Sequence, residues 1–375
     1  MQFSDVLGQT QLSSRLRDTA RSGRVAHAQL FDGPEGSGTL ALARAFAKYL
    51  HCSNPTTDDS CGSCTSCLAH EKLQHPDLQW AFPFFKKDGS TRSVSDPFQI
   101  MWREFMLESS YVGIEDWLSK IGADRKQLFV SVDEALEINR KLSLKSFHGG
   151  YKILIFWLPE TMRVDTANKM LKLIEEPTEK TVILFVSEKA NRLLPTILSR
   201  LQRVHISRLS DSDSALGISK ITGVSIEKAQ GWAHLTDGNI ASAIRLSKTG
   251  SETSDLQLFS TWMRACWSRD GEGIMKGSNE FSTLGREGQK KFLAYALHML
   301  RQCIIGNYGV EKLVRLTDGE QSFISKFQRF IHEKNIVSLS ALIEAAHKDI
   351  SGNVNAKVIF FDLSVQVHTL LRKES

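Results

Sequence analysis

Two stretches of the 375-residue chain carry residue types at spacings that could do chemistry. The first is Gly33-Pro34-Glu35-Gly36-Ser37-Gly38-Thr39-Leu40, which follows the apolar run Gln29–Phe31 and opens a helix-period pattern. A strand, then Gly-x-x-x-x-Gly-Lys-Ser/Thr, then a helix cradles phosphates on backbone N–H groups and a helix N-terminus. The lysine of that pattern reaches the β- and γ-phosphates, and the hydroxyl holds magnesium. Here Thr39 stands at the lysine position and Leu40 at the hydroxyl position. Gly33, Pro34, Gly36, Gly38 and Thr39 thus keep the outline of a phosphate loop that has lost its chemistry, and ATP hydrolysis is not expected. Taken alone, such a degenerate loop is as well explained by a chance glycine-rich turn, so its surroundings must decide.

The second stretch is Cys52-x8-Cys61-x2-Cys64-x2-Cys67. Four thiolates suffice for one tetrahedral zinc, and with every position filled the site would be structural, not catalytic. Gly62 and the small residues Ser63, Thr65 and Ser66 suit the tight turn that presents three sulfurs to one ion. Buried free thiols are a poor alternative because the intervening residues are polar. An iron–sulfur cluster is the other chemical option. Cys266 and Cys303 lie in helix-like segments and read as ordinary core residues.

The elements that must position these residues follow from the apolar pattern. Leu40, Ala43, Phe46, Ala47 and Leu50 share one face of a helix over 39–50. Leu128–Val132, Ile153–Trp157 and Val182–Val186 are strand candidates, each followed by a helical pattern such as Asp165 to Glu176, which Pro177 ends. Short apolar runs alternating with helices imply parallel strands covered on both faces. All eight prolines lie at or before Pro195, and from about Leu209 the texture is helical. The expected fold is therefore an α/β domain followed by helices. A start without a basic and then apolar leader, and no run of the roughly 18 apolar residues a membrane helix needs, point to a cytoplasmic protein with no membrane partner. The net charge of +5 permits contact with nucleic acid without arguing for it.

In this order the pieces resemble the bacterial DNA polymerase III clamp-loader subunits, an AAA+ family. Phe3-Ser-Asp-Val-Leu-Gly8-Gln9, then Gly23-Arg24-Val-Ala-His27-Ala28, then Leu30-Phe-Asp-Gly33-Pro34 match how those domains open. Leu142-Ser-Leu-Lys-Ser and Gly149-Gly-Tyr-Lys152 lead into the Walker B strand. Ala167-Asn168-Lys-Met-Leu171-Lys172-Leu-Ile-Glu175-Glu176-Pro177 and Leu194-Pro195-Thr196-Ile197-Leu-Ser199-Arg200 follow. The likeness is dense over residues 3–206 and weaker over the helical remainder.

The resemblance implies a RecA-like parallel sheet over 1–206, with a zinc module at 52–67. The stretch 80–126, less regular and rich in aromatics, reads as an insertion in which Trp102, Phe105 and Trp117 would form a local core. A small helical lid over 207–249 and an all-α collar domain over 250–375 would follow. Aligned on the family pattern, Trp157 and Leu158 replace the Walker B acidic pair, Glu160 lies past the strand end, and Ala241 replaces the sensor arginine. Together with Thr39 and Leu40, these losses resemble the non-hydrolysing, stator-type delta prime branch. The resemblance then gives Arg200, with Ser199, the role of an arginine finger offered in trans to a neighbour's ATP site. Leu201 replaces the cysteine that ends that motif. The implied partners are the gamma/tau ATPase subunits and the delta subunit, with the sliding clamp and primed DNA reached through the complex. Two alternatives stand beside this reading. One is an active ATPase of the same family; the other is a zinc-dependent nucleic-acid-binding protein.

Overall fold

The computed structural model describes the chain except for residues 88, 90, 124–125, 250–253, 311–312, 353 and 373–375. The chain divides into two compact units, Met1–Gly122 with Leu128–Ile244, and Ala123–Gln127 with Arg245–Ser375.

The first unit is built on a five-stranded parallel sheet: β1 (Ala28–Asp32), β2 (Leu78–Ala81), β3 (Lys152–Trp157), β4 (Thr181–Ser187) and β5 (Gln202–His205), in the order β2-β3-β4-β1-β5. The three inner strands are buried at every residue, as continuous apolar runs covered on both faces must be. Leu30 pairs with Phe185, and Leu184 with Ile155, so the register places the carboxyl ends of β1, β3 and β4 together. Helices α1 (Thr10–Arg21), α2 (Thr39–His51), α3 (Thr65–Glu71), α4 (Gln99–Glu108), α5 (Ile114–Lys120), α6 (Val132–Ser143), α7 (Val164–Glu175) and α8 (Pro195–Leu198) accompany the sheet. Leu154, Phe156, Ile183 and Phe185 pack with Ala135, Ile138, Met170 and Ile174 of α6 and α7 to form one core face.

Lys152, which opens β3, is buried. Its ammonium donates to Leu142 O (2.5 Å), Leu144 O (3.1 Å) and Thr178 Oγ1 (2.6 Å). It thereby satisfies carbonyls at the end of α6 that the helix cannot.

Two expectations need correction. Leu128–Val132 is not a strand of the sheet. Phe129 makes an isolated antiparallel bridge to Phe84 and Val130 a parallel one to Met162, and the chain then enters α6. Ser131 caps that helix, its hydroxyl accepting from Glu134 N at 3.1 Å. The insertion also does not begin at Trp80, because β2 carries Trp80 and Ala81 into the sheet as its edge strand.

After β5, α9 (Asp211–Thr222), α10 (Ile226–Thr236) and the first turns of α11 (Ile240–Thr249) close a small core around Ala215, Ile218, Ala229, Ala233 and Ile240. Tyr111 and Ala41 belong to the same core.

The second unit is helical: α12 (Ser254–Ser268), α13 (Gly271–Thr283), α14 (Gly285–Asn307), α15 (Asp318–Phe327), α16 (Glu333–Ser351) and α17 (Ala356–Leu371). Its core centres on Trp262, whose indole N–H donates to Ser364 Oγ (2.8 Å), and on Phe281 stacked on Phe360 at 4.2 Å. Cys266 and Cys303 are fully buried in that core, where burial pushes both thiols up to about 12. Of the boundary placed between 249 and 250, Thr249 ends α11 and residue 250 lies outside the described residues. Among the described residues no helix is long and apolar enough to cross a membrane.

Candidate functional site

The glycine-rich loop lies between β1 and α2, at the carboxyl edge of the sheet. Gly38 sits at φ +92° immediately before the helix, and Gly36 at φ +75°. Only glycine takes such angles readily, so the turn requires glycine at both positions. What surrounds it differs from an open nucleotide cradle. A Cβ placed on Gly36 would lie 2.2 Å from Asn239 Oδ1 and 2.6 Å from Ile240 N, so the first turn of α11 rests directly on the loop. A Cβ on Gly38 would meet the Tyr111 ring at 3.2 Å, and one on Gly33 would meet Ile206 O at 2.5 Å. Gln9 bridges Ser37 O (3.3 Å) and Ser207 O (3.0 Å) through its side-chain amide. As a result Gly36, Ser37, Gly38, Thr39 and Leu40 are all buried, while Pro34 and Glu35 are half-buried. The Ser37 hydroxyl is buried with no hydrogen-bond partner among the described residues.

Tyr111 comes from the insertion and is itself held in place. Its hydroxyl accepts from Leu7 N at 2.7 Å. Arg44 of α2 donates to Met106 O at 2.8 Å, fastening the phosphate-loop helix to the end of α4. The insertion's aromatic residues form the local core expected of them, and Trp157 at the end of β3 joins it. Trp102 lies 5.1 Å from Trp117 and 5.3 Å from Trp157, and Phe82 stacks on Trp102 at 4.2 Å. The Trp157 indole is 1% exposed and faces other aromatics. Leu158 follows in the left-handed region, at φ 53°. Glu160 is committed elsewhere, accepting from Ser187 Oγ (2.9 Å) and from Glu188 N and Lys189 N (both 3.0 Å). Ala241, in the first turn of α11, is buried.

Arg200 lies on the surface just after α8, 39% exposed in its side chain. Backbone bonds from Ser199 N to Pro195 O (3.0 Å) and from Arg200 N to Ile197 O (3.0 Å) fix the turn that carries it. Its Nε donates to Glu175 Oε1 at 2.5 Å, and its Nη1 to Thr196 O (2.9 Å) and Ser199 Oγ (3.3 Å).

The four cysteines converge, with all four Sγ atoms within 4.8 Å of one another. Sulfurs bound tetrahedrally to zinc at about 2.3 Å stand about 3.8 Å apart. Cys61 Sγ and Cys67 Sγ are separated by 3.9 Å. The backbone supplies the N–H···S contacts that thiolates accept: Cys61 N to Cys52 Sγ (3.2 Å), Cys64 N to Cys61 Sγ (3.4 Å) and Cys67 N to Cys64 Sγ (3.4 Å). Backbone donors from Cys64 and Ser63 lower the Cys61 thiol to about 6, whereas burial raises Cys67 and Cys52. A dication would offset the cost of burying those two as thiolates, so the donor set fits a structural metal.

Beside this cluster, and not anticipated from the sequence, lie His51, His70 and His75. Their nitrogens also approach within 4.8 Å, but their bonding partners account for them without an ion. His51 Nε2 donates to Tyr151 O (2.8 Å), which leaves Nδ1 to accept from His70 Nε2 (2.8 Å). His75 Nδ1 accepts from Asp77 N (3.2 Å), leaving Nε2 to donate to Ser66 Oγ (3.3 Å). The His51 and His75 rings stack at 4.0 Å and 11°, so their in-plane lone pairs lie in nearly parallel, separated planes and do not converge on one point. Burial holds all three neutral, lowering His51 and His75 to about 4 and His70 well below its usual value. The cluster is a joint between the end of α2, the cysteine module and the turn into β2.

Comparison with known proteins relates the chain to subunits of DNA polymerase III. A family model described as "DNA polymerase III, delta subunit" matches residues 8–210, just over half of the chain. The delta' subunit of DNA polymerase III from Pseudomonas aeruginosa is 30% identical over 175 residues, 47% of this chain and 41% of that protein. The delta' subunit from Bacillus subtilis is 27% identical over 240 residues, 64% of this chain and 59% of that protein. The tau subunit from Bacillus subtilis is 25% identical over 219 residues, 58% of this chain and 31% of that protein. The alignments thus span from about a third to about three fifths of these relatives' own lengths.

Proposed function

The chain belongs to the DNA polymerase III clamp-loader family, and from that premise we propose that it is the non-hydrolysing, delta prime-type stator subunit. It would assemble with gamma/tau-type ATPase subunits and a delta-type subunit in the cytoplasm to place a sliding clamp on primed DNA. The observation that carries this reading is the closed phosphate loop. Asn239 and Ile240 lie against Gly36 where a nucleotide's phosphates would need the loop's backbone, and Tyr111 lies against Gly38. The buried Trp157, the committed Glu160 and the buried Ala241 support the same reading at the other places where hydrolysis needs charged groups.

The three-part division into a RecA-like AAA+ body over 1–206, a lid over 207–249 and a collar over 250–375 belongs to this proposal. So does zinc as the metal held by Cys52, Cys61, Cys64 and Cys67. Bound there, zinc would crosslink the module with no open coordination position. The backbone N–H groups of Cys61, Cys64 and Cys67 would keep the sulfurs as thiolates.

In this reading Arg200 supplies the chain's chemistry from outside its own loop. Its guanidinium would enter a neighbouring subunit's ATP site and stabilise charge developing on the γ-phosphate, an effect on the order of 10³–10⁵ in rate for such fingers. The likeness to a tau subunit favours a second reading, an active ATPase. The threonine at 39 and the closed loop weigh against it. The test is reconstitution with gamma/tau- and delta-type partners. Arg200→Ala should assemble normally while clamp- and DNA-stimulated ATP turnover falls by about a hundredfold or more. Full turnover in the mutant complex would remove the finger assignment.

A further inference from the structure

We propose that Glu175 is a positioning residue for Arg200, aligning the guanidinium for the neighbouring ATP site; this rests on the arginine-finger reading above. Glu175 is the last residue of α7, and Arg200 leaves the turn after α8. Pro177 forces the helix to stop here. Glu176 already departs from helical angles at φ −126° and ψ 64°, which leaves the Glu175 side chain at the helix rim. From that rim Oε1 accepts from Arg200 Nε at 2.5 Å, while Thr196 O and Ser199 Oγ take Nη1.

Three contacts on two nitrogens fix the guanidinium plane. Among the described residues none of them uses Nη2. The nitrogen left over, Nη2, is the one that can donate to a phosphate oxygen, and a planar guanidinium held at its other two nitrogens is oriented in a way a lysine could not be. Both partners are near the surface, with 39% and 45% of their side chains exposed, and a pair so placed adds little to stability. The fold has no need of the pair, so removing it should leave a folded, assembling chain. The plain alternative is an incidental surface ion pair at a helix end, and coupling between the two residues separates the readings.

The experiment uses the reconstituted complex and measures clamp- and DNA-stimulated ATP turnover for Glu175→Ala, Glu175→Gln, Arg200→Ala and the double variant Glu175→Ala/Arg200→Ala. Assembly is checked by gel filtration. Glu175→Ala should lower kcat by about tenfold with KM for ATP within about twofold, as misplacing a reacting-site group does. Glu175→Gln, which still offers Oε1 as an acceptor, should recover part of that loss. In the Arg200→Ala background, Glu175→Ala should cost nothing more.

Loss on Arg200→Ala with none on Glu175→Ala would overturn the positioning role and leave the finger standing. An equal loss from Glu175→Ala in both backgrounds would place its effect elsewhere and also overturn the role. Faster turnover in Glu175→Ala would make Glu175 a restraint, the opposite of what is proposed. No effect of Arg200→Ala itself would remove the reading on which the inference rests.

Discussion

Replacing Gly36 by alanine puts the closed loop under direct test. The new Cβ would stand 2.2 Å from Asn239 Oδ1 and 2.6 Å from Ile240 N. The amide oxygen can swing away, although it would give up its 3.0 Å bond from Ser242 N at the start of α11. The backbone nitrogen cannot move without shifting the helix. The left-handed angle at φ +75° costs a residue with a Cβ about 1–2 kcal/mol. Overpacking against fixed atoms adds about 1–3 kcal/mol. For a unit of this size a total of about 2–5 kcal/mol should lower the melting midpoint by roughly 5–15 °C. Gly23→Ala is the control. It shares the left-handed backbone at φ +68°, but nothing lies within 4 Å of its Cβ, so only the angular part, about 1–2 kcal/mol, applies. Thermal unfolding of the full chain, followed by circular dichroism, compares the two. If Gly36→Ala melts together with Gly23→Ala, the start of α11 does not rest on the loop and the reasoning fails.

Tyr111→Phe removes the acceptor of Leu7 N and should cost about 1–3 kcal/mol in the same assay; a change within experimental error would mean water replaces the hydroxyl without penalty. His75 is held neutral in the fold, at about 4 against a reference value of 6.5, mainly by burial. The unfolded chain therefore binds the extra proton first, so this contribution to stability is complete above about pH 6.5 and is lost as pH falls toward 4. His75→Gln should flatten that acid-side decline by roughly 1–3 kcal/mol between pH 7 and 4.5, and an unchanged slope would show that another group governs it. Metal analysis should find about one zinc per chain, lost on Cys67→Ser or prolonged chelation together with a lower melting midpoint. A metal-free chain with unchanged melting would remove any structural need for the ion.

The inner strands were legible because burial on both faces forces continuous apolar runs, as in Ile153–Trp157 and Val182–Val186. The edge strands were not. Gln202-Arg-Val-His205 is largely exposed and polar, and β2 is only four residues long, so neither leaves a periodic signal. Leu128–Val132 has a strand's composition, but Phe84 and Met162 intercept it before it can reach the sheet. In the site, the uncharged residues Thr39, Trp157 and Ala241 could be read directly from the sequence. The closure of the loop could not, because Gln9, Tyr111 and Asn239 reach it from far along the chain. Glu175 and Arg200 each sit in a recognisable motif, yet only the fold brings the end of α7 beside the turn after α8.

The most direct measurement for the account as a whole is an equilibrium titration of the isolated chain with a fluorescent ATP analogue and magnesium, paired with a turnover assay. A loop occupied by Asn239, Ile240 and Tyr111 predicts no saturable binding up to millimolar nucleotide and no hydrolysis above background. Micromolar binding, with or without turnover, would contradict the account, because the loop would then be open to nucleotide.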